Sequence, residues 1–391
     1  MATQETRRER RTAPIELLWD LVFVFAITQV TTLLSGDLRW HGLGRSLLVL
    51  ALVWWAWSAF VWAANAEEEE DPTLRLVLLA GMVLIFITGL AIPRAFAGEA
   101  TLFAGTYAGV RFLHLGLYAH ASRSGHASWS AIAGFALTVT LGMALLVSGS
   151  FLDGWPRDAL WAAALAIDYA GPGWLTRARL RGLQEVAVAH FAERYGLFVI
   201  ICLGESVVAI GLGASGRPLS GEVVAAVGLG LLITVGMWWT YFARFASDAE
   251  QRLRHHADPV LAAADAYSYL HLLLVAGIIV FAVGVKLSIR HAGQPLGDGP
   301  RLALCGGIAL YLLGHTAFRA RLSGAVEVEK ILCAVALLAL FALGAALPAW
   351  AVLLCAAALV AALCAVESAR ERRRSALPAG AEPRGHRARA G

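Results

Sequence analysis

The sequence predicts an all-α, polytopic membrane protein, a helix bundle of about 12 transmembrane helices. Hydrophobic residues make up 59% of the 391-residue chain and charged residues only 15%, and the mean hydropathy is +0.66. One water-soluble globule cannot bury that much apolar surface. Apolar runs of about 20 residues, the length that crosses a hydrocarbon core of about 30 Å, recur along the chain. Strand-like alternation is absent, so these runs are predicted to be helices.

The apolar runs predict the spans in order. They cover residues 15–34, 43–63, 74–92, 101–119, 129–150, 157–170, 195–213, 222–244, 265–286, 301–318, 329–347 and 349–366. The sixth span is short, and only Pro348 separates the last two. The number of spans could therefore differ from 12 by one or two. A basic cluster precedes the first run but no small-residue cleavage site follows it, so this run is predicted to be a retained span rather than a signal peptide.

The distribution of positive charge predicts the orientation. About two thirds of the 32 Lys and Arg residues fall on the side that holds both tails, which places both termini in the cytoplasm of a multi-pass protein of the inner (plasma) membrane. The basic tails are residues 1–14 and 367–391. The second is expected to be disordered and to contact anionic lipid rather than nucleic acid. The acidic run 67–71 lies on the same side and is interpreted as a solvated turn.

An internal duplication is predicted from matches between the two halves. Residues 15–170 and 195–366 are interpreted as two parallel six-helix repeats, joined by an amphipathic linker at 171–194. The matched positions are Leu21–Gln29 with Leu197–Glu205, Trp54-Trp55 with Trp238-Trp239, 75–86 with 271–282, and His114 with His315. Their offsets increase in order, as expected if the second half has longer loops.

Ionisable residues inside the predicted spans are the candidate functional residues, because a charge within the bilayer is costly. Glu205 lies near the middle of the seventh span, where its carboxyl group must be protonated, paired or in contact with water. Arg111 is its expected partner, and His114 shares a helical face with Arg111 in the fourth span. A static lock between helices is the alternative reading of the Glu205–Arg111 pair.

Further candidates lie at the cytoplasmic ends of the first and seventh spans. Glu16 and Asp20 share one face of the first span, and Gln29 points to the opposite side. Asp20 could line a site or only cap the start of the helix. Glu193 and Arg194, at the mouth of the seventh span, are expected to form an interfacial ion pair.

His271 and His315 could relay protons, because imidazole titrates near neutral pH, or could be hydrogen-bonded structural groups. No cofactor and no metal site is expected. The five cysteines have no zinc-type spacing, and the GxGxxG match at Gly211–Gly216 ends a membrane span with no strand before it.

Two segments resemble the signatures of the bacterial low temperature requirement A (LtrA) family. Glu16–Gln29 is similar to the opening signature, and Glu193–Phe198 followed by Leu203–Ser206 is similar to the second. The tryptophan run Trp54–Trp57 and the segment Tyr269–His271 resemble further features of the family. The resemblance covers nearly all of the chain to about residue 366. It implies a polytopic membrane protein but carries no settled biochemical activity.

The first span also resembles, more weakly, the opening of a two-repeat, six-plus-six family of endolysosomal potassium channels. With a one-residue slip, the matching positions are Leu17, Asp20, Val22, Phe23, Ile27 and Thr28. Trp19 stands where that family has a serine. This resemblance supports a pore only by analogy.

The sequence therefore favours a channel or carrier for an ion or small solute, with a polar pathway between two six-helix halves. Two alternatives remain: a membrane sensor or scaffold that responds to bilayer state, and a lipid-modifying membrane enzyme. No GxSxG or HExxH motif supports the enzyme, so no catalytic residue is assigned. The bilayer is the expected partner, nucleic acid is not, and the sequence leaves open whether two chains form a homodimer.

Overall fold

The computed structural model describes residues 12–66, 72–123, 129–171 and 188–375. Within these ranges the chain is almost entirely helical and has 12 principal helices. They are α1 (Pro14–Gly36), α2 (Trp40–Ala66), α3 (Pro72–Ala91), α4 (Ala100–Arg123), α5 (Trp129–Gly149), α6 (Trp155–Ala170), α7 (Val188–Ala214), α8 (Gly221–Arg254), α9 (Pro259–Arg290), α10 (Asp298–Ser323), α11 (Val328–Leu343) and α12 (Ala349–Ser375).

The predicted class, an all-α polytopic bundle, is confirmed. In the described ranges, 9 helices are long and apolar enough to cross a membrane. Of the other three, α4 carries Arg111 and two histidines, α5 has a shorter apolar part at Ala133–Gly149, and α6 has only 16 residues. Large apolar side chains are exposed on outer faces, such as Leu76 on α3 and Leu332 on α11. Extensive apolar exposure of this kind marks a surface that contacts a membrane or another protein.

Several boundaries differ from the prediction. α7 begins at Val188, so the last part of the segment interpreted as a linker is helix, and α12 continues to Ser375 rather than ending at 366. α8 continues past its predicted end through a π-helical segment, Tyr241–Phe245, and α9 begins before its predicted start and contains a second one, Ala264–Leu270. Residues 1–11, the acidic run 67–71, 172–187 of the linker and the tail from 376 lie outside the described residues.

The same helix pairs pack together in the two halves. In the first half α1 contacts α2 and α3, α2 contacts α4 and α6, and the sequential pairs α3–α4, α4–α5 and α5–α6 also pack. In the second half α7 contacts α8 and α9, α8 contacts α10 and α12, and α9–α10, α10–α11 and α11–α12 pack. The halves meet where α1 and α2 contact α7 and α9.

Glycines allow α9 and α10 to approach closely. A Cβ atom at Gly284 would overlap the backbone of Leu304, and one at Gly307 would overlap the backbone of Phe281. Small residues at a helix–helix contact are how membrane helices gain van der Waals packing without a hydrophobic driving force. This closely packed pair lies beside the interface between the halves, where α9 contacts α1 and α2.

Candidate functional site

The candidate site lies where α1 of the first half packs against α7 of the second. The side chains of Asp20 and Arg194 are hydrogen-bonded, and so are those of Thr31 and Glu205. Each of these pairs is separated by 174 positions. A constant separation requires that the two helices run in the same direction with matching residues at the same height, since antiparallel helices would give a constant sum of residue numbers.

A buried ionic cluster joins the N-terminal ends of the two helices. Arg194 Nη2 donates to Asp20 Oδ1 at 2.6 Å, and Arg194 Nη1 lies 3.0 Å from Glu16 Oε1. The second oxygen of Glu16 lies 3.0 Å from His190 Nε2, and Trp57 Nε1 donates to Asp20 Oδ1 at 2.7 Å. All four charged or titratable side chains are almost fully buried. One guanidinium therefore compensates two carboxylates, with an imidazole as the fourth member.

Glu205 forms a second polar cluster farther along the same interface. Thr28 Oγ1 lies 2.6 Å from Glu205 Oε2, and Thr31 Oγ1 lies 2.9 Å from Glu205 Oε1. The glutamate is 5% exposed. Its partners are thus two hydroxyl groups of the other half. The expected pairing of Glu205 with Arg111 is wrong.

An apolar layer separates the two clusters. Phe23 and Ile27 on α1 and Phe198 and Cys202 on α7 lie between them in sequence, and all four have 0% exposure. The clusters are about 12 Å apart along α1, at a rise of 1.5 Å per residue. The stretch between the two clusters is therefore lined by buried apolar side chains from both helices.

Arg111 pairs inside the first half. Its Nη2 donates to Asp168 Oδ1 on α6 at 2.7 Å, and both side chains are at most 2% exposed. Within the described residues, Arg111 Nε and Nη1 and Asp168 Oδ2 have no hydrogen-bond partner. His114, one turn along α4, packs against Phe60 and Tyr118. Arg111, the predicted partner of Glu205, and His114 on the same helix therefore belong to another part of the fold, because α4 packs on α2, α3 and α5.

His271 and His315 come close to each other through Tyr241. The Tyr241 hydroxyl lies 3.3 Å from His271 Nε2, and the Tyr241 ring centroid lies 5.8 Å from that of His315. His315 is fully buried against Phe245 and Tyr311, and among the described residues neither of its ring nitrogens has a hydrogen-bond partner. The pair is enclosed by aromatic rings, and a relay role for it stays a prediction.

The remaining predicted residues lie apart from the clusters. Glu193 is exposed at the start of α7, and its expected pairing with Arg194 is wrong because the Arg194 side chain points to α1. Gln29 is half-buried beside Thr28.

The sequence analysis missed a third ionic cluster in the second half. Lys330 is 2% exposed, and its ammonium lies 2.9 Å from Glu327 Oε2 and 3.3 Å from Glu367 Oε1. Glu327 also accepts from Arg319 at 2.9 Å. These residues line a cavity of about 180 Å³. The i, i+3 spacing of Glu327 and Lys330 at the start of an apolar helix was the available signal.

Other residues that pair with the candidate residues were hard to identify from the sequence. Asp168 sits at the end of a short predicted span, and His190 sits in the predicted linker, so neither was weighed as an intramembrane group. Thr28 and Thr31 have no distinguishing pattern, since hydroxyl residues are common in membrane helices. Their role depends on which face of α1 meets α7, which is a tertiary property.

Comparison with known proteins gives two matches. The family described as "Bacterial low temperature requirement A protein (LtrA)" matches residues 11–365. An uncharacterized protein of Rhizobium meliloti (strain 1021) is 32% identical over 305 residues, which cover 76% of this chain and 75% of that protein. No solved structure matches the chain.

Proposed function

The chain belongs to the bacterial low temperature requirement A (LtrA) family, and we propose that it is a channel or carrier for an ion or small solute. In this proposal the route follows the interface between α1 and α7. It connects the Glu16–Asp20–Arg194 cluster on the cytoplasmic side with Glu205 deeper in the membrane. The protein lies in the inner membrane with both termini in the cytoplasm.

The observation that carries the proposal is the position of the Glu205 carboxyl group. It lies at the junction of the two halves, and its partners are the hydroxyls of Thr28 and Thr31. A glutamate within a membrane bundle costs several kcal/mol unless it is compensated, and such residues mark ion and substrate pathways. A purely structural contact at this position would be more stable with apolar side chains.

A two-repeat organisation supports the proposal. Corresponding helix pairs pack in both halves. Residues in contact across α1 and α7 differ by 174 in residue number, which is close to the difference of 176 between Gln29 and Glu205 in the repeat alignment. A rotation axis along the membrane normal, between α1 and α7, would place equivalent residues at the same height. Transporters are often built from such repeats, with the binding site at the repeat interface.

A pair of aromatic contacts agrees with the same alignment. His114 on α4 packs against Phe60 on α2, and His315 on α10 packs against Phe245 on α8. The histidines are aligned by the duplication. The phenylalanines align once the π-helical segment Tyr241–Phe245 is treated as a one-residue insertion, which is how π-bulges arise in α-helices.

The apolar layer between the clusters corresponds to a closed state. Phe23, Ile27, Phe198 and Cys202 would have to separate, by movement of α1 against α7, before a solute could pass. Hydrophobic constrictions of this kind gate other membrane pores by excluding water. Relative motion of two halves about a central site is also how carriers alternate access.

Flux into vesicles tests the proposal. The full chain, purified and reconstituted in liposomes, should accelerate movement of at least one species in a panel of protons, K⁺, Na⁺, Cl⁻ and small neutral solutes, relative to empty liposomes. Glu205→Gln should reduce that flux by about tenfold or more, equivalent to about 1.4 kcal/mol. If no species moves in either vesicle population while the protein remains folded, the sensor or scaffold alternative replaces transport.

A further inference from the structure

We propose that a groove between α8 and the C-terminal part of α12 binds one anionic phospholipid, which in the proposed orientation belongs to the cytoplasmic leaflet. Arg372 and Arg373 bind the phosphate at the polar end of the groove. The glycerol and the start of an acyl chain lie at the apolar end, beside Trp239. Such a site requires the membrane-spanning fold but not the proposed transport function.

α8 and α12 pack closely at Gly236, and the groove lies just beyond this contact. A Cβ atom at Gly236 would overlap the side chain of Val360, and Cys364 Sγ lies 3.7 Å from the Gly236 carbonyl oxygen. The groove holds a cavity of about 550 Å³, which is within the size range of small-molecule sites. It is lined by Trp239 of α8 and, on α12, by Cys364, Ala365, Ser368, Ala369, Arg372 and Arg373.

One face of α12 forms the floor of the groove. The lining residues of this helix form two rows at a spacing of four residues, which places them on the same side of the helix. In each row the small side chains come first and the arginine comes last. Arg372 follows Cys364 by two turns, or about 12 Å along the axis. The groove is therefore apolar at one end and cationic at the other.

The two arginines give the groove a positive charge that no carboxylate compensates. Arg372 and Arg373 are exposed and, in the part of the chain that the structure describes, form no ion pair. Arg370, by contrast, is paired with Glu329. Glu371 is not among the residues that line the cavity. Guanidinium groups bind phosphate oxygens through charge-assisted hydrogen bonds, so this end of the groove matches a phosphodiester.

Trp239 indicates that the groove lies at the surface of the membrane. Tryptophan is enriched at the boundary between hydrocarbon and water, and the partly exposed ring of Trp239 ends a row of exposed apolar side chains on α8. Leu231 and Val235 are the other members of this row, at a spacing of four residues. An acyl chain that leaves the groove can therefore lie against α8.

A phospholipid fits both ends of the groove, whereas other occupants fit only one. A soluble phosphate would contact Arg372 and Arg373 but would leave the apolar end without a partner. A second copy of the chain in an isologous contact would place its own two arginines against these. Basic pockets between membrane helices on the cytoplasmic side are typical binding sites for anionic lipid headgroups.

Native mass spectrometry of the full-length protein in detergent tests the site, with phosphatidylglycerol as the anionic probe and phosphatidylcholine as the probe without net charge. Wild type should retain one phosphatidylglycerol under conditions in which it retains no phosphatidylcholine. The double substitution Arg372→Gln and Arg373→Gln should weaken phosphatidylglycerol binding by about tenfold or more. The matched control, Arg387→Gln with Arg389→Gln, removes the same charge from the tail and should bind the lipid as wild type does.

A second variant fills the groove without changing its charge. Ala369→Trp should weaken phosphatidylglycerol binding although both arginines remain, because the indole ring occupies the space of the lipid. Ala369 is exposed, so the larger side chain should be compatible with folding. Ala362→Trp, at an exposed position of α12 that does not line the cavity, is the control and should leave binding unchanged.

Three results would overturn the proposal. Equal loss of binding in the two double arginine variants would mean that lipid is attracted by net charge alone. Wild-type binding by Ala369→Trp would mean that the lipid does not occupy the groove. Displacement of phosphatidylglycerol by inorganic phosphate at equal concentration would mean that the groove takes a soluble anion. Loss of binding in the two groove variants, with both controls and phosphate without effect, supports the site.

Discussion

The Arg194 guanidinium on α7 donates a hydrogen bond of 2.6 Å to the Asp20 carboxylate on α1, and the two residues are 174 positions apart. The same guanidinium lies 3.0 Å from Glu16, so one side chain neutralises two carboxylates of the opposite half. All three are buried. In the contact between the halves at this end, one guanidinium thus compensates two buried carboxylates.

Arg194→Ala is expected to lower the stability of the protein strongly. Truncating one member of a buried ionic group leaves the others uncompensated and costs roughly 3–5 kcal/mol, and here two carboxylates lose their partner. Thermal melting in detergent or nanodiscs measures the effect. Arg39→Ala, at an exposed arginine between α1 and α2, is the matched control and should change the melting temperature little. Equal melting of the two variants would mean that the cluster does not hold the halves together.

Arg111 and Asp168 are expected to behave as a structural pair within the first half. Each single substitution, Arg111→Met or Asp168→Leu, should destabilise the protein, because it strands the other charge at a buried position. The double substitution should recover part of that loss, giving a coupling energy within the range of about 0.5–3 kcal/mol. Vesicle flux by the double variant should remain close to that of wild type. Additive losses of stability, or abolished flux in a folded double variant, would contradict this assignment.

The proposed orientation predicts which residues an impermeant thiol reagent reaches in intact cells. In a background without the native cysteines, single cysteines at Gly36 and Ser215 should be labelled, and one at Gly380 should be labelled only after the cells are opened. Gly36 and Ser215 are exposed at the ends of α1 and α7. Gly216 is unsuitable because its φ of 72° strains any other residue. Labelling of Gly380→Cys in intact cells would show that the C-terminal tail lies outside the cell and would contradict the proposed orientation.

The fold was largely predictable because hydropathy depends on local composition. Run length and mean hydropathy locate the membrane-spanning helices. Successive spans joined by short loops then cross the membrane in opposite directions. Boundaries were less accurate where a helix extends past its apolar run, as at Val188, since the His190 and Arg194 side chains that lower the hydropathy there are compensated by α1. This charge compensation cannot be predicted until the partner helix is known.

The site was predictable in its members but only partly in its pairings. Glu205, Asp20, Glu16 and Arg194 were found because charged residues are rare within apolar runs. The partner of each depends on the rotation of one helix against another, which spacing within a single helix does not determine. Arg111 was consequently assigned to Glu205 although its partner is Asp168, a residue nearer in sequence and on a helix that belongs to the same half.

The measurement that tests the central claim most directly compares flux and melting of Glu205→Gln in the same preparations, with Glu222→Gln as the control. The amide of glutamine preserves the shape of the side chain and can still bond to Thr28 and Thr31, so the account predicts a melting temperature near that of wild type. It also predicts that vesicle flux falls about tenfold or more, or loses its dependence on pH. Lower melting with unchanged flux would contradict the account, because Glu205 would then be a lock between helices rather than part of a pathway.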